Sequence, residues 1–187
     1  MSNKYFKESV FIKSATKKEE FLKDRPMVCF LGRSNVGKST LINRLCSKRM
    51  LMKTSKTPGL TRYVNYSLIN SQFYICDSPG YGYASFSREH FAKMMEDYLS
   101  LANLKKVYIL IDSRRLINEE DSDFIFSLKV PLCLIFTKYD KLKSKEKYNL
   151  SRQLDLLKEN SVQYFVTDDC SADLDVLRID ILKAVER

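Results

Sequence analysis

Three short stretches of this sequence bring glycine, lysine, hydroxyl and carboxylate groups together at spacings that suit a nucleoside polyphosphate. The first, "GRSNVGKST", runs from Gly32 to Thr40 and follows the apolar run "MVCFL" (27–31), matching G-x-x-x-x-G-K-[ST]. Gly32 and Gly37 let the backbone curl closely, so that consecutive amides across Arg33, Ser34, Asn35 and Val36 form an anion nest. Lys38 suits the β- and γ-phosphate oxygens, and the Ser39 hydroxyl suits magnesium. The helix expected to follow adds partial positive charge at its start. The chain has five glycines in 187 residues, so two at this fixed spacing argue against a chance turn.

The second stretch, Asp77-Ser78-Pro79-Gly80, ends the run "QFYIC". Asp77 is placed to hold magnesium through a water, and the Gly80 amide to reach a γ-phosphate. Asp-x-Pro-Gly alone reads as a turn; behind a phosphate loop it reads as a sensor. The next residue is Tyr81, where many nucleotide hydrolases carry a glutamine that orients the attacking water. The third stretch, Thr137-Lys138-Tyr139-Asp140, ends "LCLIFT". The Asp140 carboxylate can accept from the ring N–H and exocyclic amine of guanine, whereas adenine would set an acceptor against it. The Lys138 stem can lie on the base face. Two weaker signals complete the set. In "SKTPGLTR" (55–62), Thr61 is a candidate to close over magnesium and the γ-phosphate, Thr57 competes with it on chemistry, and Pro58-Gly59 permits a bend. Cys170-Ser171-Ala172 can offer amides to the guanine oxygen or form an ordinary helix cap.

Such groups need strand ends to hold them. Runs rich in β-branched and aromatic residues occur at 10–12, 27–31, 63–69, 73–77, 107–112, 132–137 and 163–167. Residues 63–69 and 72–77, separated by Asn70-Ser71, read as an antiparallel hairpin. Helices are expected at 39–47, at 88–102 after Ser87, at 119–129 after Asn118, at 145–160 after Ser144, and at 173–186. Alternation of strands and helices predicts an α/β, three-layer fold with a mostly parallel sheet. Ligands in such folds gather outside the carboxyl ends of the strands, where all three stretches fall.

Length and composition agree with one domain: 187 residues, 44% hydrophobic and 29% charged. No run approaches the ~18 apolar residues of a membrane span, and the N-terminus lacks the pattern of a secretory signal, so a cytoplasmic protein is expected. The five cysteines form no C-x-x-C pair and His90 is the one histidine, which disfavours a zinc site or a disulfide framework. The net charge of +9, with basic clusters at 47–62 and 137–148, points to a polyanionic partner. RNA fits better than a membrane, because no basic amphipathic helix is evident.

Taken in order, "GRSNVGKS", "KTPGLTR", "DSPGYGYA" and "TKYDK" resemble the EngB family of bacterial GTPases, within the TrmE-Era-EngA-EngB-Septin-like class of P-loop GTPases. The resemblance spans roughly residues 8–185. It implies a Ras-like fold of about six strands with one antiparallel edge hairpin, and a single GTPase domain over residues 1–187 whose first 24 residues form an extension packed on or near it. It implies magnesium-dependent hydrolysis of GTP to GDP, with a role in large (50S) ribosomal subunit assembly linked to division and septation. The implied partners are GTP and the large-subunit precursor, with no DNA and no membrane span, and the chain is expected to be monomeric.

Carried over, Gly32–Ser39 bind phosphates, and Gly59, Leu60, Thr61, Arg62 and Tyr63 form a first switch. Asp77, Ser78, Pro79 and Gly80 form a second switch. Thr137–Asp140 with Cys170, Ser171 and Ala172 form the base pocket. Ser39 and Thr61 ligate magnesium, and Lys38, Thr61 and Gly80 carry the catalytic roles. Asn35 is expected to help hold K⁺ near the phosphates. The chain departs from the pattern of related GTPases at Thr137, where asparagine is usual, at Ser78, where an apolar residue is usual, and at 170–172. Two other readings compete: a P-loop nucleotide kinase, which would need a second substrate site and a lid, and a non-catalytic GTP-bound scaffold at the division site. Tyr81, Tyr83 and Phe86 can pack under the switch or face a partner.

Overall fold

The computed structural model describes residues 5–52, 63–80, 88–167 and 171–186; side chains of 88–91 and 171–172 lie outside that description. The described strands are β1 (Ser9–Ala15), β2 (Met27–Gly32), β3 (Val64–Ile69), β4 (Phe73–Asp77), β5 (Leu104–Asp112), β6 (Leu132–Thr137) and β7 (Tyr164–Val166). The helices are α1 (Lys38–Leu45), α2 (Arg88–Leu99), α3 (Glu119–Ser127), α4 (Ser144–Glu159) and α5 (Ser171–Val185). The sheet order is β1-β3-β4-β2-β5-β6-β7. From β4 to β7 the pairs are parallel, while β3 joins β4 antiparallel through the expected hairpin. Among the described residues the sheet has seven strands, one for each strand-like run of the sequence, against the about six that the family resemblance implies; β1 adds a second antiparallel pair outside β3.

All six residues of β2 are buried, as a strand covered on both faces requires. Alternate side chains serve different layers. Met27, Cys29 and Leu31 pack with Tyr98 of α2, Ile125 of α3 and Leu150 of α4. Val28 and Phe30 pack with Leu41, Ile42 and Leu45 of α1 and with Leu177 and Ile181 of α5. The apolar positions of α1 recur at i, i+1 and i+4, the stripe a helix needs to lie on a sheet. The cysteines at 29, 46, 76 and 133 are buried thiols within these layers.

Several boundaries shift, two of them for electrostatic reasons. Ser144 opens α4 instead of preceding it, because the Glu146 carboxylate accepts from the Lys143 amide at 2.7 Å and caps the helix one residue earlier. The strand expected at 107–112 begins at Leu104, and α2 ends at Leu99 instead of continuing to 102. Lysines at 105 and 106 obscured that start. Lys106 nonetheless lies buried, with Nζ 2.7 Å from Gln163 Oε1 and 2.9 Å from Asp180 Oδ2, and Tyr108 donates to the same Asp180 oxygen at 2.7 Å. Asn118 caps α3 as expected, accepting from the Asp121 amide at 2.8 Å.

The Asp180 network carries a stability prediction. Asp180→Ala leaves the Lys106 ammonium with Gln163 but no counter-charge and strands the Tyr108 hydroxyl, and is expected to cost about 3 kcal/mol, read from urea unfolding. Burial pushes the Asp180 carboxyl up, but the hydrogen bonds from Lys106, Tyr108 and Gln163 outweigh it and hold the native acid below its ordinary value. Its stabilisation is therefore complete above the ordinary carboxylate pKa and is lost as pH falls through the depressed native one. The gap between wild type and Asp180→Ala should narrow below about pH 4.

Candidate functional site

At β2 the sheet order turns: β4 lies on one side and β5 on the other, so a crevice opens outside the carboxyl end of β2. The loop from Gly32 to Gly37 lines it. Gly32 has φ 147°, and a Cβ there would lie 2.7 Å from the Leu110 carbonyl oxygen, so the loop passes β5 too closely for a side chain. Gly37, with φ 109°, caps α1, whose first backbone bond runs from the Leu41 amide to the Gly37 carbonyl at 2.9 Å. Asn35 adopts φ 61° between them. The loop curls around Lys38, whose Nζ donates to the carbonyls of Gly32 at 3.0 Å and Arg33 at 3.3 Å. Burial pushes the Lys38 ammonium below its usual pKa, against the opposing attraction of Asp77. An ammonium held among carbonyls in this way is chemically suited to an anion.

Asp77, at the end of β4, is 1% exposed. The Ser39 hydroxyl donates to its Oδ2 at 2.5 Å, while Oδ1 is buried with no partner among the described residues. Burial pushes this acid up, with Lys38 and Ser39 pulling the other way. A hydroxyl and a carboxylate with an orphaned oxygen are hard donors that fit a magnesium ion and its waters. Ser78, unusual at its position, is buried; its hydroxyl donates to the Phe30 carbonyl at 2.9 Å and so anchors the turn to β2. Gly80 abuts the phosphate loop, since a Cβ there would lie 2.7 Å from both the Ser34 nitrogen and its Oγ. Pro79 lies between these two contacts, buried.

At the end of β6, Thr137 Oγ1 donates to the Val36 carbonyl at 3.0 Å and also lies 3.3 Å from that of Ile111. The threonine thus ties the strand to the phosphate loop. Lys138 takes a left-handed conformation, φ 60°, and its Nζ donates to the Asn35 carbonyl and to Asp112 Oδ2, each at 2.9 Å. Tyr139 packs at the edge of the core beneath the Lys147 ammonium, 5.1 Å from its ring centroid. Asp140 is exposed and paired with Lys141 at 2.7 Å, and the hydrogen bond from Lys141 holds its carboxyl below the usual range.

The structure therefore gathers the residues of 32–39, 77–80 and 137–138 around one crevice, with Asp140 one turn further out. It sends the Arg33 side chain elsewhere: its guanidinium pairs with Glu120 at 2.6 Å and Asp121 at 3.0 Å, tethering the loop to α3. Tyr63 is half-exposed just before β3. Thr57, Gly59, Leu60, Thr61, Arg62, Tyr81, Tyr83, Phe86 and Cys170 lie outside the described residues, as do the side chains of Ser171 and Ala172, although Ser171 opens α5. Sequence reasoning passed over Asp112. Its signal was present: like Asp77 and Thr137, it ends an apolar strand. A cavity of about 210 Å³ lies beside the loop, bounded by Arg33, Asn35, Asp112, Arg114 and Lys138.

Residues 27–138 match a family described as 50S ribosome-binding GTPase. The GTP-binding protein EngB of Mesoplasma florum is 45% identical over 163 residues, covering 82% of this chain and 81% of that protein. Its counterpart in Fusobacterium nucleatum is 41% identical over 164 residues, covering 83% of each. Among solved structures, Era in complex with MgGDPNP and nucleotides 1506–1542 of 16S ribosomal RNA aligns with a TM-score of 0.62 at 25% identity, covering 86% of this chain and 56% of that one. The FeoB G-domain of Methanococcus jannaschii shares the fold at a TM-score of 0.58 and 18% identity, covering 87% of this chain and 99% of that one. With a lysine, a hydroxyl and a carboxylate converging at the strand-end crevice, and with these relatives matching along most of its length, the chain belongs to the EngB family of GTP-binding proteins and is a P-loop GTPase.

Proposed function

We propose that this GTPase is a magnesium-dependent switch in assembly of the large ribosomal subunit, and that its loss disturbs division and septation. The observation that carries the reading is the buried Lys38 ammonium beside the Ser39–Asp77 pair, at the end of a strand tied by Thr137 and Lys138 to the base-reading turn. In this reading the loop from Gly32 to Ser39 grips the phosphates and Asp140 reads guanine, with amides of 170–172 completing the base pocket. Ser39 and Thr61 would hold magnesium directly and Asp77 through a water, and the ion would supply positive charge at the phosphates. Thr61 and the Gly80 amide order around the γ-phosphate, and hydrolysis releases the segments at 59–63 and 77–80. Tyr81, in the place of a water-orienting glutamine, makes the isolated enzyme slow. Asn35 supports a K⁺ site that supplies charge at the phosphates.

The ribosomal partner is supported by the family's description, by the rRNA bound to Era, and by the net charge of +9, which favours a polyanion. DNA is not expected as a partner. We read residues 1–187 as one monomeric, cytoplasmic GTPase domain, with the first 24 residues as an extension packed on it; the pairing of β1 with β3 supports the last point. Among the described residues no helix is long and apolar enough to cross a membrane. The test is co-sedimentation with large-subunit precursors. Binding is expected with a non-hydrolysable GTP analogue and not with GDP, weakening steeply as salt rises. Equal recovery in both nucleotide states would overturn the switch.

A further inference from the structure

We infer that Asp112 is a positioning residue that locks Lys138 against the phosphate loop and so sets how long a guanine nucleotide stays bound. The inference rests on the guanine-nucleotide reading of the crevice above.

Asp112 ends β5 directly opposite Thr137 in the parallel ladder. Its carboxylate is saturated by four donors. Oδ1 accepts from the Arg114 amide at 3.1 Å and from Arg114 Nε at 2.9 Å; Oδ2 accepts from Arg114 Nη2 at 2.7 Å and from Lys138 Nζ at 2.9 Å. The same Lys138 ammonium reaches the Asn35 carbonyl, also at 2.9 Å. Both residues of that contact are non-glycine residues in the left-handed region, Asn35 at φ 61° and Lys138 at φ 60°. Such conformations persist where the surroundings over-determine them. Asp112, Lys138 and Asn35 line the cavity, and the Lys138 side chain is 31% exposed while Asp112 is buried. Charge and hydrogen bonding, more than packing, therefore hold Lys138 there.

Thr137 already ties β6 to the loop through a neutral hydroxyl. The Asp112–Lys138–Asn35 chain is a second, charged tie one residue on, immediately before the turn that carries Asp140. It sets the offset between the part of the site that reads the base and the part that grips the phosphates. Burial raises the Asp112 acid, but the bonds from Arg114 and Lys138 outweigh it, so the carboxylate stays ionised throughout the physiological range. Replacing it by an amide leaves the Arg114 and Lys138 cations adjacent without their shared counter-charge, and Lys138 should swing away from Asn35.

The experiment is stopped-flow release of a fluorescent GDP from the full chain. Asp112→Asn is expected to speed release about 10- to 100-fold, the range for a lost hydrogen bond to a charged group, while GTP stays preferred over ATP because Asp140 is untouched. Asp112→Glu should restore slow release. Lys138→Met should match Asp112→Asn, and the double variant should release no faster than Lys138→Met alone. Arg114→Met should stay within about threefold of wild type. A purely structural role would lower the thermal midpoint without this coupling. The inference is overturned if Asp112→Asn stays within twofold of wild type, if its effect multiplies with that of Lys138→Met, or if Arg114→Met reproduces it. Should Asp112→Asn fail to fold with Arg114 stranded, Asp112→Asn/Arg114→Met compared with Arg114→Met carries the same expectations. Lys38→Met is the separate control. If it captures fluorescent GDP as wild type does, the nucleotide-site reading itself falls, and this inference with it.

Discussion

Asp140→Asn is expected to lower GTP affinity about 100- to 1,000-fold and to transfer the preference to xanthosine triphosphate. Guanine presents two donors, its ring N–H and its exocyclic amine, and a carboxylate accepts both. An asparagine keeps one acceptor and turns the other into a donor, which then faces the guanine amine. Xanthine carries an oxygen where guanine carries that amine, so donor meets acceptor again. A site built to satisfy specific hydrogen bonds rejects mismatched analogues by large factors, which is why this single-atom exchange should have so large an effect. The fold should not notice. Asp140 is exposed and forms an ion pair with its neighbour Lys141, so the thermal midpoint should stay near wild type. Competition binding with GTP, XTP and ATP reads the outcome; an unchanged GTP preference would remove the base-reading assignment.

Lys38→Met should lower triphosphate capture by a similar factor, about 100- to 1,000-fold, as loss of one preorganised charge-bearing donor does elsewhere. Lys38 is 8% exposed, and its ammonium rests on two carbonyl oxygens. Burial disfavours its charge and pushes its pKa below the usual value. That is a cost carried in the empty protein and recovered when phosphate oxygens arrive. Methionine keeps the stem and removes the desolvated charge, which offsets the loss of the cation beside buried Asp77 and of the donor to two carbonyls, so the stability of the apoprotein should move by no more than about 1 kcal/mol. The combination is diagnostic: lost binding with an apo midpoint near wild type marks a residue kept for its ligand. A large fall in midpoint with binding intact would make Lys38 a structural lysine.

Local chemistry was legible in the chain. The phosphate loop depends on glycines at fixed spacing and on a lysine and hydroxyl adjacent to one another, all within eight residues whose geometry is set by their own backbone. The central strands announced themselves because a strand buried on both faces must be apolar throughout. The cap of α3 was readable for the same reason, since Asn118 acts three residues away on the Asp121 amide.

What was not legible depends on partners far along the chain. Lys106 fell outside the strand expected at 107–112, because Asp180, which satisfies it, comes 74 residues later. Arg33 sat inside a phosphate motif, yet its side chain belongs to acids 87 and 88 residues away on α3. Ser78 and Thr137 departed from the pattern of related GTPases, and the reason appears only where Phe30 and Val36 offer their carbonyls. Asp112 passed for the end of a strand until Lys138 was seen beside it. By itself the sequence determined which residues can grip a phosphate, because amide, ammonium and hydroxyl chemistry is local. Only the tertiary structure decided which carboxylate faces which cation, because a charge buried by folding is stable only beside a counter-charge that a distant segment delivers.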